Sequence, residues 1–169
     1  MVRVPYNLQH MEIEEKIGGM LKEKGLTIAV AESCTGGLIS SRITNISGAS
    51  AYFLAGFITY SNKAKTAFLF VPEEVITRYG AVSFETAKLM AEGAKSAAGA
   101  DIGVSVTGIA GPTGGTFEKP VGTVFIGLAT GEGIAVRNFL FTGNRLEIKR
   151  ETSEAALTFI ADYLEERPL

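Results

Sequence analysis

Apolar positions along the chain alternate between helical and strand-like spacing, and that alternation sets its layout. Ile13, Ile17, Met20 and Leu21 fall at helical spacing, and Gly25 follows as a stop. Residues 26–31 form a short apolar run, which predicts a strand. It ends in Glu32-Ser33-Cys34-Thr35-Gly36-Gly37, which predicts a tight turn and a helix from about Thr35, with Leu38, Ile39 and Ile43 on its apolar face. After a turn at 45–50, residues 52–60 are rich in aromatic and β-branched side chains and read as a buried strand. Residues 61–71 read as a helix, and Pro72 opens another short one. Over 83–98, Ala87, Met90, Ala91, Ala94, Ala97 and Ala98 form a stripe that lets a helix sit close to a sheet. Residues 102–107 predict a strand and 108–120 a glycine- and proline-rich loop. Strands at 121–130 and 134–141 are joined by Gly131-Glu132-Gly133, a hairpin signal. The last helix begins near Asn144, and Ile148, Thr152, Ala155, Ala156, Phe159, Ile160, Tyr163 and Leu164 trace one face of it.

Strands separated by helices imply parallel crossovers, and the terminal hairpin adds an antiparallel pair. The expected fold is therefore α/β: a mixed, mostly parallel sheet covered by helices on both faces, with a C-terminal antiparallel hairpin. No linker or repeat divides the chain, and its 169 residues suit one domain over 10–169, after a short irregular arm at 1–9. No apolar run reaches the ~18 residues of a membrane span, and residues 1–10 lack a signal peptide's apolar stretch. A cytoplasmic protein that binds no membrane is expected. A formal charge of −2 argues against nonspecific nucleic-acid binding. One cysteine, Cys34, and one histidine, His10, leave no internal disulfide and no structural zinc set, so neither metal nor cofactor is expected.

Chemistry has to be sought in the glycine-rich turns. In open α/β sheets ligands sit outside the carboxyl ends of parallel strands, and Ser33 and Thr107 both occupy such ends. The chain carries neither a P-loop nor a dinucleotide fingerprint. Ser33 has two readings. It, or Thr35, caps the following helix, or it is a reacting hydroxyl on a turn whose two glycines let a ligand approach the backbone. Cys34 reads as a buried small residue. A Ser-His-Asp triad would need His10, which precedes the first helix, so a serine nucleophile here calls for a lysine base, with tyrosine as a helper. A lysine at its usual pKa of ~10.4 is almost wholly protonated at pH 7, so burial or a nearby cation has to lower that value. Tyr60-Ser61-Asn62-Lys63-Ala64-Lys65 offers two lysines that point different ways on a helix, and spacing leaves open which one faces the cleft. Arg145 lies near the buried stripe of the last helix. It can hold a phosphate or carboxylate with two prongs, or pair with Glu32 or Asp101.

The segment Ala31-Glu32-Ser33-Cys34-Thr35-Gly36-Gly37 resembles the signature of the CinA C-terminal domain family. The likeness continues through Gly56-Phe57-Ile58-Thr59-Tyr60-Ser61-Asn62 with Lys65, and through Gly80-Ala81-Val82-Ser83. It resumes at Val106-Thr107-Gly108-Ile109-Ala110-Gly111-Pro112, then at Lys119-Pro120-Val121-Gly122-Thr123-Val124, and reaches Gly143 and Arg145. The resemblance implies a three-layer α/β/α sandwich. It also implies hydrolysis of the carboxamide of nicotinamide mononucleotide to nicotinate mononucleotide and ammonia. The family's serine and lysine fall on Ser33 and Lys65, and its tyrosine on Tyr60. Glu32, Thr35, Gly36, Thr107, Gly108, Gly111 and Arg145 are the positions expected to meet the substrate. Lys63 stands where many members carry an acidic residue. Longer members carry an N-terminal domain similar to molybdopterin-binding proteins, whose activities are not expected of these residues. The expected partner is a small nucleotide, and association with further copies of the chain stays open. The competing class is a nonenzymatic nucleotide-binding module or partner subunit that uses the same turns.

Overall fold

A computed structural model describes residues 12–166. His10 and the arm expected at 1–9 lie outside the described residues. In chain order the elements are α1 (Ile13–Lys24), β1 (Ile28–Glu32), α2 (Leu38–Thr44), a 3-10 turn (Ala49–Ala51), β2 (Phe53–Ile58), α3 (Asn62–Leu69), α4 (Glu73–Tyr79), α5 (Phe84–Ala98), β3 (Ile102–Gly108), β4 (Thr123–Ala129), β5 (Ile134–Leu140) and α6 (Arg145–Leu164). The strands form one five-stranded sheet in the order β2-β1-β3-β4-β5.

β1 runs parallel to both β2 and β3, while β3–β4 and β4–β5 are antiparallel. The mixed sheet and terminal hairpin are as expected, but the pairings divide evenly. The loop between β3 and β4 carries no crossover helix, so β4 returns antiparallel.

Strand alternation decides which helix layer lies where. Ile28, Val30, Ile102, Val104, Val106, Val124, Ile126 and Leu128 pack with Ile17 and Leu21 of α1, Ile39 and Ile43 of α2, and Ile148, Phe159 and Ile160 of α6. On the other face Ala29 and Ala31 pack with Leu69 of α3, Ile76 of α4, and Met90 and Ala94 of α5. That second face is cut for close approach. A Cβ on Gly103 would overlap the Ala91 carbonyl oxygen, and one on Gly127 would lie 2.7 Å from that of Ala87. The alanine stripe on α5 is therefore the counterpart of glycines on β3 and β4. Ala98, half-buried, continues it, while Ala97 is exposed; the series 87, 91, 94, 98 follows the helical period.

Two expectations are corrected. β2 is an edge strand with alternating half-buried and exposed residues, because β1 takes the centre of the parallel set and is buried throughout. The helix after Ser33 begins at Leu38, not Thr35. Gly36 and Gly37 have φ of 64° and 97°, left-handed values that interrupt a helix and that glycine adopts without penalty.

Candidate active site

The parallel order β2-β1-β3 places three strand ends side by side, with the Ser33 turn in the middle. The Ser33 N–H donates to the Val106 carbonyl at 3.0 Å, one step past the end of β1, and the Gly36 N–H closes on the Ser33 carbonyl at 3.2 Å. The turn is also held from behind. The fully buried Glu32 carboxylate accepts from the N–H groups of Gly37, Ile39 and Ser40 at 3.0, 3.1 and 2.8 Å, and from the Ser40 hydroxyl at 2.7 Å. Glu32 thus caps α2, the task that the sequence offered to Ser33 or Thr35. The Ser33 hydroxyl is left for other work.

That hydroxyl faces Lys65. Lys65 Nζ lies 3.1 Å from Ser33 Oγ and donates to the Thr59 carbonyl at 2.8 Å. Thr59 is itself fixed by its N–H bond to the Glu32 carbonyl at 2.9 Å. Ser61 caps α3 by accepting from the Ala64 N–H at 3.1 Å, which sets the helical phase. In that phase Lys65 is 1% exposed and Lys63 faces solvent, so the choice between the two lysines falls on Lys65. Among the described residues no carboxylate pairs with it. Burial holds its pKa below the ordinary lysine value of 10.5, with the neighbouring Cys34 acting the other way. Burial also pushes the Cys34 thiol up to about 12, so it stays a neutral thiol, as a buried small residue should.

Ser33 and Lys65 form the inner end of a cleft of about 230 Å³. Tyr60, Asn62 and Arg145 line its mouth, and Ala81, Val82, Thr107, Gly108 and Ala110 line the remainder. The Thr107 hydroxyl donates to the Ala81 carbonyl at 2.7 Å, and Lys119 Nζ donates to the carbonyls of Tyr79 and Val82 at 3.0 and 2.7 Å, so this wall is tied down at both ends. A Cβ on Gly108 would lie 2.7 Å from the Val124 side chain and 3.1 Å from Cys34 Sγ. Among the described residues, no loop or turn carbonyl accepts from the N–H groups of Cys34 and Thr35, and the Cys34 N–H lies against its own sulfur. Backbone donors beside a hydroxyl suit a developing oxyanion.

Arg145 spans the mouth. Its Nη1 donates to the Gly111 carbonyl at 2.8 Å and its Nη2 to the Tyr60 hydroxyl at 2.9 Å. It pairs with neither Glu32 nor Asp101, whose carboxylate accepts from the Thr27 N–H and hydroxyl. Tyr60, 60% exposed, therefore stands at the rim with its hydroxyl on Arg145. Of the expected positions, Ser33, Lys65, Tyr60, Thr107, Gly108 and Arg145 come together in the cleft. Glu32 does not line it, because its carboxylate is committed to α2. Thr35 is buried outside it with an unpartnered hydroxyl, Gly36 lies on the turn's exposed side, and Gly111 contributes the carbonyl that holds Arg145. Asn62, Ala81 and Val82 were not singled out as site residues, although all three sit inside the motifs that carry the family resemblance.

The architecture is that of a three-layer α/β/α domain with a pocket at the carboxyl ends of its parallel strands, where a buried lysine meets a serine on a glycine turn. Residues 10–164 match the CinA C-terminal domain, and the chain belongs to that family. It is 52% identical over 153 residues to a CinA-like protein of Geobacter sp. (strain M21), covering 90% of this chain and 37% of that protein. It is 52% identical over 155 residues to a putative competence-damage inducible protein of Caldicellulosiruptor bescii, covering 92% and 38%. The chain thus spans little more than a third of the length of these relatives. Among solved structures, the competence/damage inducible protein CihA from Agrobacterium tumefaciens superposes with a TM-score of 0.87 at 41% identity, covering 95% of this chain and 99% of that one. A CinA superfamily protein from Klebsiella pneumoniae superposes with a TM-score of 0.88 at 28% identity, covering 91% and 96%.

Proposed function

We propose that this chain hydrolyses the carboxamide of nicotinamide mononucleotide, giving nicotinate mononucleotide and ammonia, through a serine nucleophile activated by a neutral lysine. The observation that carries this reading is the contact between Ser33 Oγ and a fully buried Lys65 Nζ that no described carboxylate neutralises. Burial favours the uncharged amine. A neutral Nζ keeps its N–H on the Thr59 carbonyl and turns its lone pair to the Ser33 hydroxyl. Ser33 Oγ then attacks the carboxamide carbon while its proton passes to Lys65. The N–H groups of Cys34 and Thr35 receive the oxyanion. Lys65 returns the proton to the departing nitrogen, ammonia leaves, and an acyl-enzyme ester remains on Ser33. Water, deprotonated by the same amine, hydrolyses that ester to the carboxylic acid and frees Ser33. The lone buried thiol fits a reducing cytoplasm, where pyridine nucleotides are recycled.

The test is ammonia release from nicotinamide mononucleotide by purified, chelator-treated protein, alongside Ser33→Ala. The wild type should release ammonia, and the variant should bind the nucleotide and release none. A folded Ser33→Ala protein that turns over within a few-fold of wild type refutes the nucleophile. No release by wild type leaves a nucleotide-binding module.

A further inference from the structure

One wall of the cleft is the turn between α4 and α5, where Ala81 and Val82 line it. A connecting turn on the surface usually leaves its carbonyls to water. Here every carbonyl from Tyr79 to Val82 accepts from a side chain. That of Gly80 takes the hydroxyls of Ser83 and Thr86 at 2.9 and 2.8 Å, and that of Ala81 takes the Thr107 hydroxyl at 2.7 Å. The outer two, Tyr79 and Val82, are both held by Lys119 Nζ. Ser83 and Thr86 are chain neighbours, three and six residues from Gly80, whereas Lys119 comes from 40 and 37 residues away.

Tyr79 ends α4, so its carbonyl has no helical partner and sits at the negative end of the helix dipole, a place that suits a cation. A Cβ on Gly80 would be 3.6 Å from Lys119 Nζ, so the ammonium lies over the glycine that opens the turn. Among the described residues no carboxylate pairs with Lys119. Its backbone is fixed as well. The Thr116 N–H donates to the Lys119 carbonyl at 2.9 Å, and the Lys119 N–H donates to the Thr116 hydroxyl at 3.0 Å. The base of this loop is closed by the Gly122 N–H on the Ile109 carbonyl at 2.8 Å. The same loop brings Ala110 to the cleft and offers the Gly111 carbonyl to Arg145. One loop thus braces both the mouth and the wall.

We propose that Lys119 is a positioning residue: it cinches the turn from Tyr79 to Val82 at both ends and thereby sets the wall of the cleft, without touching the substrate. Its effect on turnover rests on the deamidase reading; the clamp itself does not. Without the ammonium the wall is closed only part of the time, and apparent affinity falls by the fraction that is closed. Ser33 and Lys65 are held by the Val106 and Thr59 carbonyls, not by Lys119, so the chemical step is spared once substrate is bound. Lys119 therefore governs KM and leaves kcat.

The test compares wild type with Lys119→Met and Lys119→Arg in the full chain, by residue-resolved amide exchange and by the kinetics of ammonia release from nicotinamide mononucleotide. The Gly80 N–H, bonded to the Ile76 carbonyl, and the Thr86 N–H, bonded to the Ser83 hydroxyl, report on the turn. Both should exchange roughly tenfold faster in Lys119→Met, while Val30 and Val104 in the sheet keep their wild-type rates. KM should rise by roughly tenfold and kcat stay within about threefold. Lys119→Arg, which keeps a charged donor, should restore both readouts. If Lys119→Met does not fold, Lys119→Gln removes the charge and reads the same quantities. Unchanged exchange at Gly80 and Thr86 overturns the clamp, and so does faster exchange spread equally over the sheet, which marks general stabilisation. A fall in kcat at fixed KM also overturns the proposal. Ammonia release with a KM unmoved by Lys119→Met removes the positioning role and keeps the deamidase. No release by wild type removes the deamidase, and the exchange rates still decide the clamp.

Discussion

Lys65→Met separates what the buried amine does for rate from what it does for the fold. Methionine has nearly the length and volume of the lysine stem, so the inner end of the cleft stays filled. It removes the only nitrogen within reach of Ser33 Oγ among the described side chains. A general base contributes about 10²–10⁴ to rate, or roughly 3–5 kcal/mol of barrier. Ammonia release should fall by that factor. Stability should respond to pH in a particular direction. The folded-state pKa of Lys65 lies below the ordinary 10.5, so between those two values the unfolded chain binds more protons than the folded one. Wild-type stability from this group therefore rises with pH through that window, is complete above 10.5, and is lost below the folded value. The variant lacks this dependence. Against it stands the Thr59 carbonyl, left without its donor at a cost of about 1–3 kcal/mol, which is constant with pH. Thermal unfolding of both proteins from pH 6 to 10.5 should show wild type gaining on the variant as pH rises. Lys65→Arg should be as inactive as Lys65→Met, because a guanidinium does not become neutral in this range. Activity within a few-fold of wild type in either variant, or a stability gap flat with pH, refutes the argument for a buried, neutralisable amine.

Two further predictions concern the frame around the pair. Glu32→Gln replaces an acceptor for four donors by a group with one acceptor oxygen and an NH2 that meets N–H head-on, so it should cost about 2–3 kcal/mol, a loss in Tm of roughly 4–12 °C by calorimetry; an unchanged Tm refutes the capping role. Gly103→Ala drives a methyl into the Ala91 carbonyl and should cost about 1–3 kcal/mol or more by forcing α5 off the sheet; urea unfolding with an unshifted midpoint shows that the helix has room.

The features most legible in the sequence were those that repeat. The α6 stripe, the α5 alanines and the Gly25 stop of α1 are periodic or local, and the structure keeps them with a residue or two of adjustment. What escaped depended on partners distant in the chain. The aromatic, β-branched run of β2 reads the same at an edge as at a centre, and only the topology assigns it to the edge. The start of α2 moved because glycine does not announce the sign of its φ. Lys63 and Lys65 were indistinguishable until the Ser61 cap fixed the phase of α3. Glu32 was misplaced because caps usually come from the residue at the helix boundary, whereas this one reaches forward from the preceding strand. Arg145 met a backbone carbonyl 34 residues away, a partner that no side-chain pattern advertises.

The Glu32 brace has a consequence for how such a site can change. The turn from Ser33 to Gly37 is held by a residue behind it and by two left-handed glycines, not by the side chain of Ser33. Holder and tool are separate parts. A cysteine or threonine at position 33 would be presented at the same place and angle, toward the same amine, without the loop being rebuilt. This turn can therefore set a different hydroxyl or thiol against Lys65 by a single codon change, while an exchange of the carboxylate one position earlier dismantles every variant at once.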